Sequence, residues 1–199
     1  MRILIVGASG TIGQAVVDVL AARHQLVLAS RSKSPERVDL ADPASIRALF
    51  KRVGRIDAVV SVAGEAAWKP LAQLTDEDFA FSLGSKLMGQ VNLVRFGSDV
   101  VADGGSFTLT SGVLATRPTP GGAAITLVNA GVDAFTRAAA LELPRGIRIN
   151  SVSPPWVSET LTAMGRDPSG GLPATDVARS YVESVEGKQT GAVITPKRR

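Results

Sequence analysis

The sequence predicts an α/β fold, a single domain built on a doubly wound parallel sheet. Three observations carry this prediction. Short runs rich in Val, Ile and Leu alternate with longer stretches of helical spacing along the whole chain. Those short runs lack strict polar–apolar alternation, as strands buried on both faces should. The 199 residues, 45% of them hydrophobic, suffice for one sizeable core.

The elements follow in order. RILIV (2–6) is a short β-rich run, and TIGQAVVDVLAA (11–22) has helical spacing. QLVLAS (25–30) is a second strand. Asp42-Pro43 is a helix start, with Asp as cap and Pro at the first helical position, and SIRALFKRV continues the helix. IDAVVSV (56–62) is another buried-type strand. Thr75-Asp76-Glu77-Asp78 resembles a capping box and opens a helix reaching about Phe96. SFTLTS (106–111) is a strand, and a helix is expected from about Gly122 to Leu143, stopped by Pro144. IRINSVS (147–153) is a strand, Thr175 is expected to cap the helix DVARSYVESV, and TGAVIT (190–195) is the last strand. No internal repeat or low-complexity linker interrupts this order. Strand–helix–strand units cross over right-handedly, and such sheets bind ligands at the carboxyl ends of their strands.

Composition narrows the function classes. With no cysteine, neither a disulfide framework nor a cysteine-held zinc site is available, and a reducing cytoplasm fits. The opening apolar run is broken by Gly7 and Ser9 too early for a secretion signal, and no stretch nears the roughly 18 apolar residues of a membrane span. The net charge of +4 is scattered, apart from Arg31, Lys33 and Arg37 in one loop and Lys197-Arg198-Arg199 at the end. Nucleic-acid binding needs a basic stripe or a motif, and neither is present. The basic end is expected to be a solvated tail. No metal site is expected.

Gly7-Ala8-Ser9-Gly10-Thr11-Ile12-Gly13 lies between the first strand and the first helix. Glycines there permit a tight turn and bring backbone N–H groups at a helix N-terminus close to a pyrophosphate. The spacing is G-x-x-G-x-x-G rather than G-x-G-x-x-G, and it would equally serve close strand–helix packing with no ligand. The second strand ends in Ala29-Ser30-Arg31-Ser32-Lys33. In a dinucleotide site this position reads the adenosine ribose. An acid there favours NAD, whereas Arg31, with Lys33 near and no adjacent acid, favours a 2′-phosphate and so NADP. The alternative is a solvated basic loop.

These pieces, taken with several others in order, resemble the short-chain dehydrogenases/reductases over nearly the full length. Gly7 to Gly13 resembles the family's pyrophosphate turn, and Val38-Asp39-Leu40 with Asp42 its adenine-contacting segment. Asp57 to Gly64 is similar to its D-x-x-V-N-N-A-G strand, with Ser61 and Val62 in place of the two Asn. Ser106 to Ser111 resembles the strand that delivers its serine. Arg148 to Pro154 is similar to R-V-N-x-V-x-P-G, with Pro155 in place of Gly, and Thr190-Gly191 matches a C-terminal turn. The resemblance implies a single NAD(P)-binding Rossmann-type domain over 1–199, with a short substrate-lid segment near 159–172. It places cofactor contacts at Gly7, Ser9, Gly10, Thr11, Ile12, Gly13, Arg31, Ser32, Asp39, Leu40, Ser61, Ala63, Gly64, Pro154 and Val157.

The family's chemistry uses a Tyr as proton donor, a Lys four residues later, a Ser that orients the substrate oxygen, and an Asn in the preceding long helix. Here Ser111 keeps the Ser place, Ile125 takes the Tyr place, Asn129 the Lys place, and Lys86 the Asn place. Ile cannot donate a proton. Losing a general acid costs about 10²–10⁴-fold in rate. Lys86 is the candidate replacement, either holding the ribose or supplying a proton beside Ser111. Its alternative is a snorkelling Lys at a subunit contact. Ser111 could instead simply bond backbone. Tyr181, in the late helix, is expected to pack, and His24 to be exposed and remote. Trp156 and Trp68 are expected to border the pocket. Gly165, Gly170 and Gly171 would suit a mobile flap.

Two functions fit. One is an NADP-dependent oxidoreductase with an atypical active site, acting on a small carbonyl or alcohol. The other is a non-catalytic NADP(H)-binding sensor or scaffold. The resemblance also implies a homodimer or homotetramer through the helices near 76–96 and 122–143, with no nucleic-acid or membrane partner.

Overall fold

The computed structural model describes residues 1–198; Arg199 lies outside the described residues. Seven parallel strands form one sheet in the order β3-β2-β1-β4-β5-β6-β7. β1 is Arg2–Val6, β2 Gln25–Ser30, β3 Glu36–Arg37, β4 Ile56–Ser61, β5 Val101–Thr110, β6 Arg148–Val152 and β7 Val193–Ile194. The crossovers carry α1 (Thr11–Ala21), α2 (Pro43–Val53), α3 (Asp76–Ser82), α4 (Gly89–Gly97), α5 (Ala123–Ala139), α6 (Ser158–Ala163) and α7 (Ala174–Glu186). This is the expected single-domain α/β fold. The strand order reverses between β1 and β4, which is where such a sheet opens a crevice.

Both faces are covered, so the strands are apolar throughout. In β1, Leu4 and Val6 join a core with Leu49, Phe50, Leu93 and Phe107. Ile3 and Ile5 point the other way, into a core with Val16, Leu20, Val177 and Tyr181. That is the period-two alternation of a strand expressed as two buried faces.

The caps explain several boundaries. Asp42 accepts from the Ala44 N–H at 2.8 Å, with Pro43 leading α2. Thr75 and Asp78 form a reciprocal capping box at the start of α3. Other expectations need correction. The long helix after Thr75 is interrupted by a π-helical turn, Leu83–Met88, between α3 and α4. α5 stops at Ala139 rather than Leu143, because the chain tightens into a final turn (Leu141 N–H to Ala138, Glu142 N–H to Ala139) ahead of Pro144. Thr175 lies inside α7 and caps nothing. The cap comes from Glu159, whose carboxylate accepts from the Ala174 N–H at 3.0 and 3.1 Å.

The segment near 159–172, expected as a short lid, carries secondary structure of its own. It contains α6 and a 3-10 turn at Pro168–Gly170, with Leu161 and Leu172 buried as anchors. A bridge between Val157 and Leu172 closes its base. The basic end is not merely solvated: Arg198 donates to the Gly171 carbonyl at 2.7 Å. No helix among the described residues is long and apolar enough to cross a membrane.

Candidate active site

The glycine turn connects β1 to α1 at the reversal of strand order. Gly7 has φ 92°, and its N–H donates to the Ala29 carbonyl at 2.8 Å. A Cβ there would meet Ala63 Cβ at 2.8 Å and the Val62 backbone at 2.9 Å. At Gly13 a Cβ would lie 2.0 Å from the Gly7 carbonyl oxygen. Both positions therefore require glycine. α1 opens at Thr11 with no side-chain cap and no acidic residue in its first turn, so its positive end is left free for an anion.

A cleft of about 280 Å³ runs from this turn across the ends of β1, β2 and β4. Gly7, Ser9, Gly10, Arg31, Asp39, Leu40, Ala63 and Gly64 line it, together with Ser30 and Val38 from the same two sequence segments, and Glu65 and Ser85, which the sequence did not single out. Thr11 and Ile12 begin α1 beside it, and Gly13 is buried beneath Gly7. Ser61 ends β4 fully buried, its Oγ without a hydrogen-bond partner among the described residues. Ser32 is exposed beyond Arg31, while Pro154 and Val157 are buried past the end of β6. A larger open depression of about 920 Å³ lies between α1, α7 and β7, where Arg23 and Arg179 face Asp176 and Glu183. It lies away from the glycine turn and none of the candidate residues reach it.

The structure corrects the environment of Arg31. An acid is adjacent after all: Arg31 Nη2 donates to Glu65 Oε2 at 2.7 Å. That bond is the main cause holding the guanidinium more firmly protonated than usual. Both side chains are more than half exposed, so the pair is weak and easily exchanged for another anion.

The second half of the site lies past β5. Ser111 is buried, and its N–H donates to the Val152 carbonyl at 2.9 Å. Its Oγ reaches that same oxygen only at 3.5 Å, a long contact that leaves the hydroxyl weakly committed. Ile125 is half-buried on α5, and Asn129 one turn on is buried beneath Gly112, where a Cβ would sit 2.8 Å from Asn129 Nδ2. Asn129 Oδ1 has no hydrogen-bond partner among the described residues.

Lys86 projects from the π-helical turn. Gln90 clamps this turn to β5, donating to the carbonyls of Lys86 (3.0 Å) and Thr110 (2.9 Å) and accepting from the Thr110 N–H (2.8 Å). The Lys86 stem lies against Gly64, where a Cβ would meet its Cα at 2.9 Å and its Cδ at 3.1 Å. Its surface is partly open, yet the ammonium is strongly desolvated. Burial pulls its pKa from 10.5 to about 8, opposed by the charge of Asp133. Asp133 is itself buried and accepts from Ser151 Oγ at 2.7 Å. A lysine near 8 holds or releases a proton close to neutral pH. π-turns of this kind recur at functional sites.

Tyr181 supplies no alternative acid. It is fully buried, burial pushes its phenol pKa up, and its hydroxyl is 2.7 Å from Thr110 Oγ1. His24 is not exposed as expected: its ring is mostly covered, with Nε2 2.8 Å from Glu186 Oε1, because α7 packs over the end of α1. Trp68 and Trp156 meet with ring centroids 5.6 Å apart.

The family model described as Enoyl-(Acyl carrier protein) reductase matches residues 10–192. Hydroxynaphthalene reductase arp2 of Aspergillus fumigatus is 29% identical over 78% of this chain and 56% of its own length. A putative ketoacyl reductase of monensin polyketide synthase from Streptomyces virginiae is 31% identical over 77% of this chain and 69% of its own. An uncharacterized NAD-dependent oxidoreductase of Mycobacterium tuberculosis is 34% identical over 59% of this chain and 46% of its own. The chain thus spans about half the length of the first and last of these relatives. Among solved structures, the Listeria innocua protein lin1944 is 42% identical with a TM-score of 0.95 over 98% of both chains. A small-chain dehydrogenase in complex with NADPH is 25% identical with a TM-score of 0.87, over 98% of this chain and 95% of its own. With the glycine turn at the crevice and a family match over most of its length, the chain belongs to the short-chain dehydrogenase/reductase family.

Proposed function

We propose that the chain is an NADP-dependent oxidoreductase with an atypical active site, acting on a small carbonyl or alcohol. One observation carries the reading: the glycine turn, Arg31 and Asp39-Leu40 line a single cleft at the reversal of strand order. The residues fit a dinucleotide. Gly7 and Gly13 leave no room for side chains in the turn, and the N-terminus of α1 is uncapped. Two buried polar atoms, Ser61 Oγ at the end of β4 and Asn129 Oδ1 on α5, lack partners among the described residues, which a ligand or water would supply.

The N-terminal turn of α1 would hold the pyrophosphate. Arg31 would exchange Glu65 for the 2′-phosphate, which favours NADP over NAD. When bound, the nicotinamide supplies the hydride chemistry. Ser111 orients the substrate oxygen. Lys86 holds the ribose or supplies the proton that Ile125 cannot. The test follows NADPH oxidation with a panel of carbonyl acceptors. The reading predicts turnover that falls at least tenfold in Ser111→Ala and in Lys86→Ala. Turnover unchanged in both variants would remove them from the site.

A second reading is a non-catalytic NADP(H) sensor, favoured by Ile125 and Asn129 at the places of the family's proton-transfer pair. It predicts tight NADPH binding with no turnover of any acceptor. We also propose a homodimer through α3, the π-turn and α5, which pack together and expose Phe81, Met88 and Leu127.

A further inference from the structure

The chain has two tryptophans, and the fold brings both to one place. Trp68 lies on the loop that follows β4 and Gly64, and Trp156 on the loop that follows β6. Their rings are tilted by 55° at a centroid distance of 5.6 Å, and Trp68 stays 39% exposed. Trp68 also borders the start of α5. A Cβ on Gly121 would touch Trp68 Nε1 at 2.9 Å, and one on Gly122 would reach Ile125 Cγ2 at 3.7 Å. The guanidinium of Arg166 lies 6.0 Å from the Trp156 ring. Trp68 therefore touches the turn that opens α5, four residues before Ile125, and the two indoles sit on loops that leave the carboxyl ends of β4 and β6.

That replacement constrains the acceptor. Hydride addition to a simple ketone leaves an alkoxide, a strong base comparable to hydroxide. Such an oxygen needs an acid as charge develops. Reduction of a quinone leaves a phenolate-type anion, whose conjugate acid has a pKa of about 10. That product can leave the transition state without a strong proton donor. A cation beside it suffices, and Lys86, whose stem lies against Gly64 on the loop that carries Trp68, is the candidate. Flat conjugated rings are also what two indole faces hold best.

We propose that this site takes flat, conjugated acceptors of the quinone class, held against Trp68 and Trp156, in preference to simple ketones. The inference rests on the oxidoreductase reading above. In the step, a reduced nicotinamide loses hydride and becomes the oxidised cofactor. The quinone gains that electron pair and hydrogen and becomes the hydroquinone monoanion. A proton from water, or from the Lys86 ammonium with later reprotonation, completes the hydroquinone.

Binding is tested apart from turnover. Protein saturated with NADP+, which cannot reduce anything, is titrated calorimetrically with 1,4-naphthoquinone and with 1-decalone, a ketone of the same skeleton lacking a π face. The quinone is expected to bind at least tenfold more tightly. Trp68→Ala should weaken it by roughly 5- to 150-fold, the range for one lost aromatic stack, and leave decalone within twofold. Trp68→Phe should restore most of the loss. With NADPH, the quinone should turn over at least 100-fold faster than decalone. Equal binding of the two, or quinone binding indifferent to Trp68→Ala, would overturn the aromatic site. Decalone reduced as fast as the quinone would overturn the substrate class and leave the oxidoreductase reading standing. Binding of NADPH without reduction of either would overturn this inference in favour of the sensor. No NADPH binding would overturn both.

Discussion

Replacing Lys86 with Met separates the charge of this side chain from its packing. Met fills much of the same space against Gly64 without an ammonium. In the folded protein burial lowers the Lys86 pKa to about 8 from 10.5, even with Asp133 nearby. The unfolded chain therefore holds this proton more tightly than the folded one. The charged side chain costs stability in full below pH about 8, the cost declines as pH rises towards 10.5, and above both values it is gone. The difference between the two values corresponds to about 3 kcal/mol at pH 7. Lys86→Met should then be more stable than the parent by that amount, with Tm higher by roughly 6–12 °C for a chain of this length. Urea unfolding at pH 7, 9 and 10.5, followed by tryptophan fluorescence, reads the effect directly. The gain should be largest at pH 7 and nearly absent at pH 10.5. The same variant should lose turnover, as expected where a site is maintained at the expense of stability. A variant less stable at pH 7, or a gain independent of pH, would refute the desolvated lysine.

Three further outcomes are expected. Glu65→Ala frees Arg31 from its 2.7 Å partner, so it should tighten NADPH severalfold in a calorimetric titration, leave NADH unchanged, and alter stability by less than about 1 kcal/mol. Weaker NADPH binding would show that Arg31 does not read the 2′-phosphate. Gly13→Ala places a methyl 2.0 Å from the Gly7 carbonyl, where only backbone can yield; it should cost roughly 1–3 kcal/mol in a thermal melt and abolish cofactor binding. Leu127→Glu puts a charge on an exposed apolar position of α5 and should convert a dimer to a monomer in light scattering at micromolar concentration. A parent protein already monomeric there would remove the proposed interface.

What the sequence made legible was mostly local. The glycine turn, the Asp42-Pro43 start and the Thr75 capping box each depend on residues within a few positions of one another, and each stands in the structure. The apolar runs marked the strands, because burial on both faces leaves a continuous signal. Contacts between distant residues left no such trace. Glu65 reaches Arg31 across 34 positions, and Glu186 reaches His24 across 162. Glu159 caps α7 from 15 residues away, where a local reading gave that task to Thr175. The π-turn under Lys86 is likewise hidden, because its helical spacing differs by a single backbone register. Only the end clamped by Gln90 hints at it, and that clamp depends on where β5 lies.

The central claim is that the crevice beside the glycine turn binds a phosphorylated dinucleotide. Calorimetric titration of the purified protein with NADPH, with NADH in parallel, tests it most directly. The account predicts clear one-site binding of NADPH, at least tenfold tighter than NADH, with the difference lost in Arg31→Ala. No binding of either cofactor would contradict the account and leave the glycine turn as packing between β1 and α1 alone.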